Sequence, residues 1–209
     1  TVPDKGYPSF SYVIKAVELQ EDLLAAKVEN ANKTENKTSV NLAFKHILTQ
    51  INFSAELESG VTYTVTKIEI MDVNNTGTFT YGTGDVVGAW SSLSGKISYE
   101  YAGKYDATAT DNVADFSTNA NALMLLPQTL SADAKIAVTY SAVKNGFTTF
   151  TGTKEVSLKD KVWGIGKNLR YTLKLSSDAT EVVFTPSVSE WTDETPQPDP
   201  VTPVTPPTE

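Results

Sequence analysis

The chain has 209 residues, enough to bury a substantial core without cross-links, and its 40% apolar and 20% charged composition is that of an ordered globular protein. A net charge of -8 argues against binding nucleic-acid phosphates or anionic membranes through bulk charge. With no cysteine, disulfides, thiolate nucleophiles and cysteine-ligated metals are excluded. No apolar run reaches the ~20 residues a helix needs to span a bilayer. The start at Thr1, without Met or signal peptide, is expected of a processed product or a fragment.

In chain order, Phe10, Tyr12, Ile14 and Ala16 alternate as a strand, and Gln20 to Lys27 is predicted helical. Asn30 to Ser39 is polar and reads as a linker. From Val40 the alternation breaks phase: Val40, Leu42, Phe44 and Leu48 are even, whereas Ile51, Phe53, Ala55 and Leu57 are odd. A strand shows one face at period two, so its register must be reset near residues 46–50, by a short helical turn or a bulge. Val61-Tyr63-Val65 followed by Ile68-Ile70 is a second parity change and predicts a bulge at Thr66-Lys67. Asn74-Asn75-Thr76-Gly77 is predicted as a hairpin turn leading to Thr78–Tyr81.

Further strands are expected at 97–101, 123–126, 136–140, 147–152, 169–175 and 182–185, with Asn145-Gly146 a strong hairpin signal. The polar stretch from Tyr105 to Ala122 is expected to be a long loop. Six prolines between Pro196 and Glu209 favour polyproline II, a spacer or tail and a poor β-strand. The fold class expected is all-β, an antiparallel sandwich. Residues 1–35 form an N-terminal strand and linker, a remnant of a preceding sandwich domain; 36–195 form the sandwich; 196–209 form the tail.

Few residues offer chemistry. His46, the single histidine, is expected to be structural, since it has no second histidine as co-ligand and no G-x-S-x-G elbow exists. Asp72 to Gly77 imitates the start of a calcium loop, but Thr83 stands where the bidentate Glu belongs. Weak calcium binding at Asp106, Asp111 and Asp115 is the remaining metal reading. Gly164-Ile165-Gly166-Lys167 lacks the spacing and the Ser/Thr of a phosphate loop. Acidic pairs such as Glu155 with Asp160, or Asp193 with Glu194, read as surface charges rather than glycosidase carboxylates. Asn32, Asn36, Asn52 and Asn74 open N-x-[ST] sequons, which carry meaning only in a eukaryotic secretory setting. Trp90, Tyr99, Tyr101 and Tyr105, with Trp163, are the candidate ligand-contact aromatics, as a sugar-stacking platform; core packing is the competing reading. No catalytic, metal or cofactor-binding residue is assigned, and no cofactor is expected.

Glu21 to Ala26, then Val40 to Phe53, Leu126-Pro127-Gln128, Trp163 to Leu173 and Val182 to Trp191 follow one another in a distinctive order. From about Pro8 to Trp191 the chain resembles the fimbrillin-like (Mfa-like) surface proteins of Bacteroides and its relatives. The resemblance implies transthyretin-like, Greek-key sandwich domains and an exported lipoprotein of the outer membrane surface. It further implies a fimbrial subunit or adhesin. The implied partners are other fimbrial subunits, joined by β-strand addition, and a surface glycan or protein. Members carry a lipidated cysteine ahead of the matching region, so contact with the outer membrane would run through an N-terminal lipid absent from this chain. The proline-rich tail suits a tip, accessory or anchoring member better than a polymerising stalk subunit. A glycan-binding surface lipoprotein is the alternative reading.

Overall fold

A computed structural model describes residues 8–29, 40–101, 105–108, 113–116, 122–178 and 182–191. The strands are β1 (Ser9–Val13), β2 (Leu24–Ala25), β3 (Lys45–His46), β4 (Thr49–Glu56), β5 (Val61–Tyr81), β6 (Gly88–Tyr101), β7 (Tyr105–Thr108), β8 (Val113–Asp115), β9 (Leu123–Leu125), β10 (Gln128–Thr129), β11 (Lys135–Lys144), β12 (Phe147–Ser157), β13 (Val162–Trp163), β14 (Lys167–Lys174) and β15 (Val183–Glu190). The long ones are rich in Val, Ile, Thr, Tyr and Phe, whose branched or aromatic side chains suit a pleated surface.

The 21-residue β5 is the spine of the first sheet. One of its edges carries β11 along residues 61–71 and then β1 along 76–80; the other carries β7 along 62–65 and β6 along 68–81. Its inward residues change parity twice. Val61, Tyr63 and Val65 are buried, then Ile68 and Ile70, then Val73 and Phe79. Each change is a bulge. Tyr140 faces Val65 while Thr139 faces Lys67, so Thr66 is the extra residue where the pattern predicted one. The second break lies between Ile70 and Val73, where Asp72 has φ 57. The expected hairpin turn at 74–77 does not form, because these residues continue β5. Asn74 there exchanges hydrogen bonds with the side chain of Gln128. Gly77 marks a close approach instead of a turn: a Cβ would lie 2.8 Å from Leu93 Cδ2 and 3.1 Å from Trp90 Cε3.

The second sheet runs β15-β14-β4-β8, with β9 also paired to β4. Two short pairs, β10 with β13 and β2 with β3, close the ends. The architecture is the expected all-β sandwich of antiparallel sheets, with β4 and β14 a parallel exception. Phe53 of β4 crosses between the sheets, its ring 4.9 Å from Tyr101 of β6 and 6.0 Å from Tyr171 of β14. Most of the buried aliphatic and aromatic residues of both sheets form one main core around it.

The predicted register reset is a kink. Residues 40–44 are not strand, and Val40, Leu42 and Phe44 are exposed, so their alternation belongs to an extended segment lying on the surface. Between β3 and β4, the neighbouring Ile47 and Leu48 are both buried, but in different places. Leu48 joins the main core, while Ile47 joins a smaller cluster with Ala25 and Phe79. The kink is pinned by the Ile47 N–H to Leu23 O and by the Gly166 N–H to Leu48 O. No helical turn forms at 46–50. The expected helix at 20–27 is also absent; a 3-10 turn at Val17–Leu19 is followed by extended β2. Asn145 (φ 52) and Gly146 (φ 80) do turn the β11–β12 hairpin. The expected loop from 105 to 122 contains β7 and β8, and the linker at 30–39 and the tail at 196–209 lie outside the described residues.

Four core tyrosines have raised pKa values. Burial pushes the Tyr63 phenol up to about 12 and also raises Tyr99, Tyr140 and Tyr171. In an unfolded chain these groups ionise near pH ~10. Above that pH the unfolded state releases protons that the folded state retains, so stability falls as pH rises. The denaturation midpoint should therefore stay insensitive to these tyrosines below pH ~10 and drop between about 10 and about 12. Tyrosinate absorbance should appear together with unfolding, not before it.

Candidate assembly and contact surfaces

The free sheet edges differ in how well they could accept another strand. β15 carries Pro186 opposite Tyr171, and proline blunts an edge by removing a donor. The outer edge of β6 is interrupted by positive φ at Ser92 (52) and Gly95 (73). β12 is long, with one bulge against β11 at Thr149 and a positive φ (153) at Gly152. It pairs with β11 from Ser157 to Phe147, and among the described residues no strand pairs with its other side. Its inward side chains, Phe150, Lys154 and Val156, are only half-buried, so the sheet overhangs the core there. The Phe150 ring stands 4.6 Å from Tyr140, and Lys154 Nζ is 5.2 Å from the Phe150 centroid. At the tip of the hairpin, Phe147 is 76% exposed.

A cleft of about 320 Å3 opens between β6 and the β10–β13 pair, lined by Trp90, Leu93, Pro127, Val162, Trp163 and Ile165 among others. Three of its polar side chains are already engaged. Trp90 Nε1 donates to Ile47 O at 2.6 Å, Trp163 Nε1 donates to Tyr171 Oη at 2.9 Å, and Gln128 Nε2 donates to Asn74 O and Leu126 O, both at 3.1 Å. What the cleft presents is apolar surface, with Val162 66% exposed on its rim.

His46 is packed into the fold beside the kink. Its Nδ1 lies 2.6 Å from Asp22 Oδ2, and the ring of Trp191 stacks on it at 3.9 Å and 6°. The Trp191 N–H donates to Gly166 O, which ties the end of β15 to the kink.

The predicted aromatic platform is not assembled. Tyr99 and Tyr101 are 2% and 1% exposed, and their hydroxyls donate to Ile14 O and Phe116 O inside the sandwich. Their spacing put them on one face, which is correct, but that face is the inward one. Trp90 is half-buried in the cleft wall, and Tyr105 lies in β7 opposite Val65, with its side chain outside the description. Asp115 bonds to Arg170 Nη1 at 2.6 Å, Asp106 lies in β7, and Asp111 is outside the described residues. Among the described residues no cluster of three His, Asp or Glu could hold a metal, and no helix is long and apolar enough to cross a membrane. The β12 edge and the cleft were missed in the sequence, although Asn145-Gly146 marked the start of that edge.

Residues 8–191 match the fimbrillin-like family. The chain belongs to that family. Among solved structures, it is similar to a fimbrial protein from Bacteroides vulgatus, at 18% identity and TM-score 0.66, over 90% of this chain and 69% of that one. It is also similar to a protein provisionally assigned to cell adhesion from Bacteroides uniformis, at 17% identity and TM-score 0.54, over 92% of this chain and 69% of that one. At such identity the likeness establishes the fold. Among curated proteins there is no match. As a member of the fimbrillin-like family it is a structural protein and not an enzyme.

The Trp90 indole also anchors the kink. Trp90→Phe keeps a ring in the cleft wall but leaves the carbonyl of buried Ile47 without that donor. The expected loss is about 1–3 kcal/mol, read from urea unfolding with the two-sheet core otherwise intact.

Proposed function

We propose that this fimbrillin-like chain is an accessory or tip subunit of a fimbrium on the bacterial outer-membrane surface, joined to its neighbour by a strand added along the free edge of β12. The observation that carries the reading is the 11-residue length of that edge. An edge with no strand partner among the described residues offers a row of backbone donors and acceptors to an incoming strand. The half-covered face of Phe150 and Val156 would gain cover from the side chains of the added strand. Family membership supports association with other fimbrial subunits. The proline-rich tail, by contrast, is poorly suited to be the donor, because each proline removes a ladder hydrogen bond. That imbalance, an edge that can accept and a tail that cannot give, favours a terminal position over a repeating stalk position. The burial of Tyr99, Tyr101 and Trp163 removes three of the five aromatics on which glycan binding would have rested.

Adjacent residues of an edge strand point their N–H groups to opposite sides. Of Thr153→Pro and Lys154→Pro, one therefore breaks the β11 ladder and the other blocks only the open edge. The ladder-breaking variant should lose roughly 1–3 kcal/mol of stability. The other should keep its unfolding midpoint but disappear from heat-dissociable ladders of surface material in detergent gels and from filaments in negative stain. If the edge-blocking variant still enters filaments, β12 is not the joint.

A further inference from the structure

We propose that Lys154 selects the strand that joins the β12 edge: it admits a neighbour's strand that sets a carboxylate side chain opposite it, and turns away one that is apolar or basic there. This rests on the strand-addition reading above and names the chemistry of the incoming strand.

The first support is position in the sheet. Inward side chains form rows that cross the strands, one residue from each strand. One row runs Tyr99, Ile70 and Ile136 and ends at Val156 on β12. Another runs Tyr63 and Ala142 and ends at Phe150. Between them Tyr101, Ile68 and Val138 are each at most 1% exposed, and the residue that ends their row is Lys154. Alternation predicts an apolar side chain at that position, and the chain places a charge there. An added strand would supply the next member of each row.

The second support is chemical. A charge on the inward face of an edge strand is one of the devices by which sheets exclude unwanted strands. Lys154 is half-buried, with Nζ 5.2 Å from the centroid of the Phe150 ring. Its stem covers apolar surface while the ammonium still reaches water. A strand laid along the edge takes that water away. Opposite a valine the ammonium loses solvation and gains nothing, and opposite a lysine it is also repelled. Opposite Glu or Asp, a charge-assisted hydrogen bond replaces the lost water.

The third support is that the signal stands alone on its face. The other inward residues from 150 to 157, Phe150, Gly152 and Val156, need only apolar cover. Glu155 lies on the opposite face, where it accepts from Lys135 Nζ at 2.8 Å. Pairing with β11 is unshifted from Phe150 to Ser157, so Lys154 has a fixed place along the edge. A single charge at a fixed place also sets register, because an incoming strand that slips by two residues loses its partner.

The test uses the full chain and a labelled nine-residue peptide, Val-Thr-Val-Thr-Glu-Thr-Val-Thr-Val. Its symmetric pattern can set Glu opposite Lys154 in either strand direction. Two sister peptides carry Val or Lys at the centre. Binding is read from peptide fluorescence anisotropy and from the amide resonances of β12. The wild-type chain should bind the Glu peptide about fivefold more tightly than the Val peptide, and the Lys peptide least. Lys154→Glu should reverse the order of the Glu and Lys peptides. Lys154→Val, which keeps strand propensity, should favour the Val peptide. Unchanged unfolding midpoints show that both variants are folded. Equal affinities, or any other order in the wild-type chain, overturn the selection by Lys154; if the edge-blocking proline variant still abolishes binding, β12 remains the joint. Binding that persists in the edge-blocking variant, or no binding of any peptide, overturns strand addition at β12 and this proposal with it.

Discussion

The rest of the structure depends on the demand placed on β5. One 21-residue strand must pair with β11 and then β1 along one edge, and with β7 and then β6 along the other. A strand of that length accumulates right-handed twist and cannot keep one face on a single core. The bulges at Thr66 and near Asp72 take up the difference. Each adds a residue, turns the inward face to the other parity, and increases the local twist. As a result, the first half of β5 covers the main core with Tyr63, Val65 and Ile68, while Phe79 in the second half covers the smaller cluster with Ile47 and Ala25.

The kink at Ile47 and Leu48 is the matching device in the opposite sheet. Because β5 serves two clusters, the chain leading into β4 must supply both, and two consecutive buried residues do so only if the backbone turns between them. Trp90, Gly166, Asp22 and Trp191 all converge on this turn through backbone bonds, an indole bond and the stacked His46 ring. The apolar cleft is a consequence. Where β6 follows β5 away from the main core, Trp90 and Leu93 lean over Gly77, and a gap is left against Trp163 and Val162.

The hydroxyls of the core tyrosines connect the sheets to the loops. Tyr63 and Tyr140 donate to the carbonyls of Leu175 and Ser176, and Tyr99 and Tyr101 to those of Ile14 and Phe116. These bonds tie carbonyls just outside the strands to the core, and each ring contributes apolar area to it. A residue that does both is well placed as structure and poorly placed as a ligand contact.

The sequence by itself determined the all-β class, the positions of both parity breaks in residues 47–70 and the hairpin at Asn145-Gly146. These depend on local alternation and on backbone preferences that act over a few residues. It also carried, in the order of its segments, the resemblance to fimbrillin-like proteins that the family match established. Tertiary structure decided what local rules leave open. Asn74 to Gly77 has the composition of a turn but continues β5, because Gln128 satisfies the backbone of Asn74, and Leu93 and Trp90 need the space over Gly77. Within 20–27, Leu24 and Ala25 are strand because β3 supplies a partner and Ala25 is buried with Phe79. Tyr99 and Tyr101 alternate as an exposed platform would, and only the second sheet lying over them turns that face into core. Alternation tells which side chains share a face; which face meets the solvent is settled by the elements packed against it.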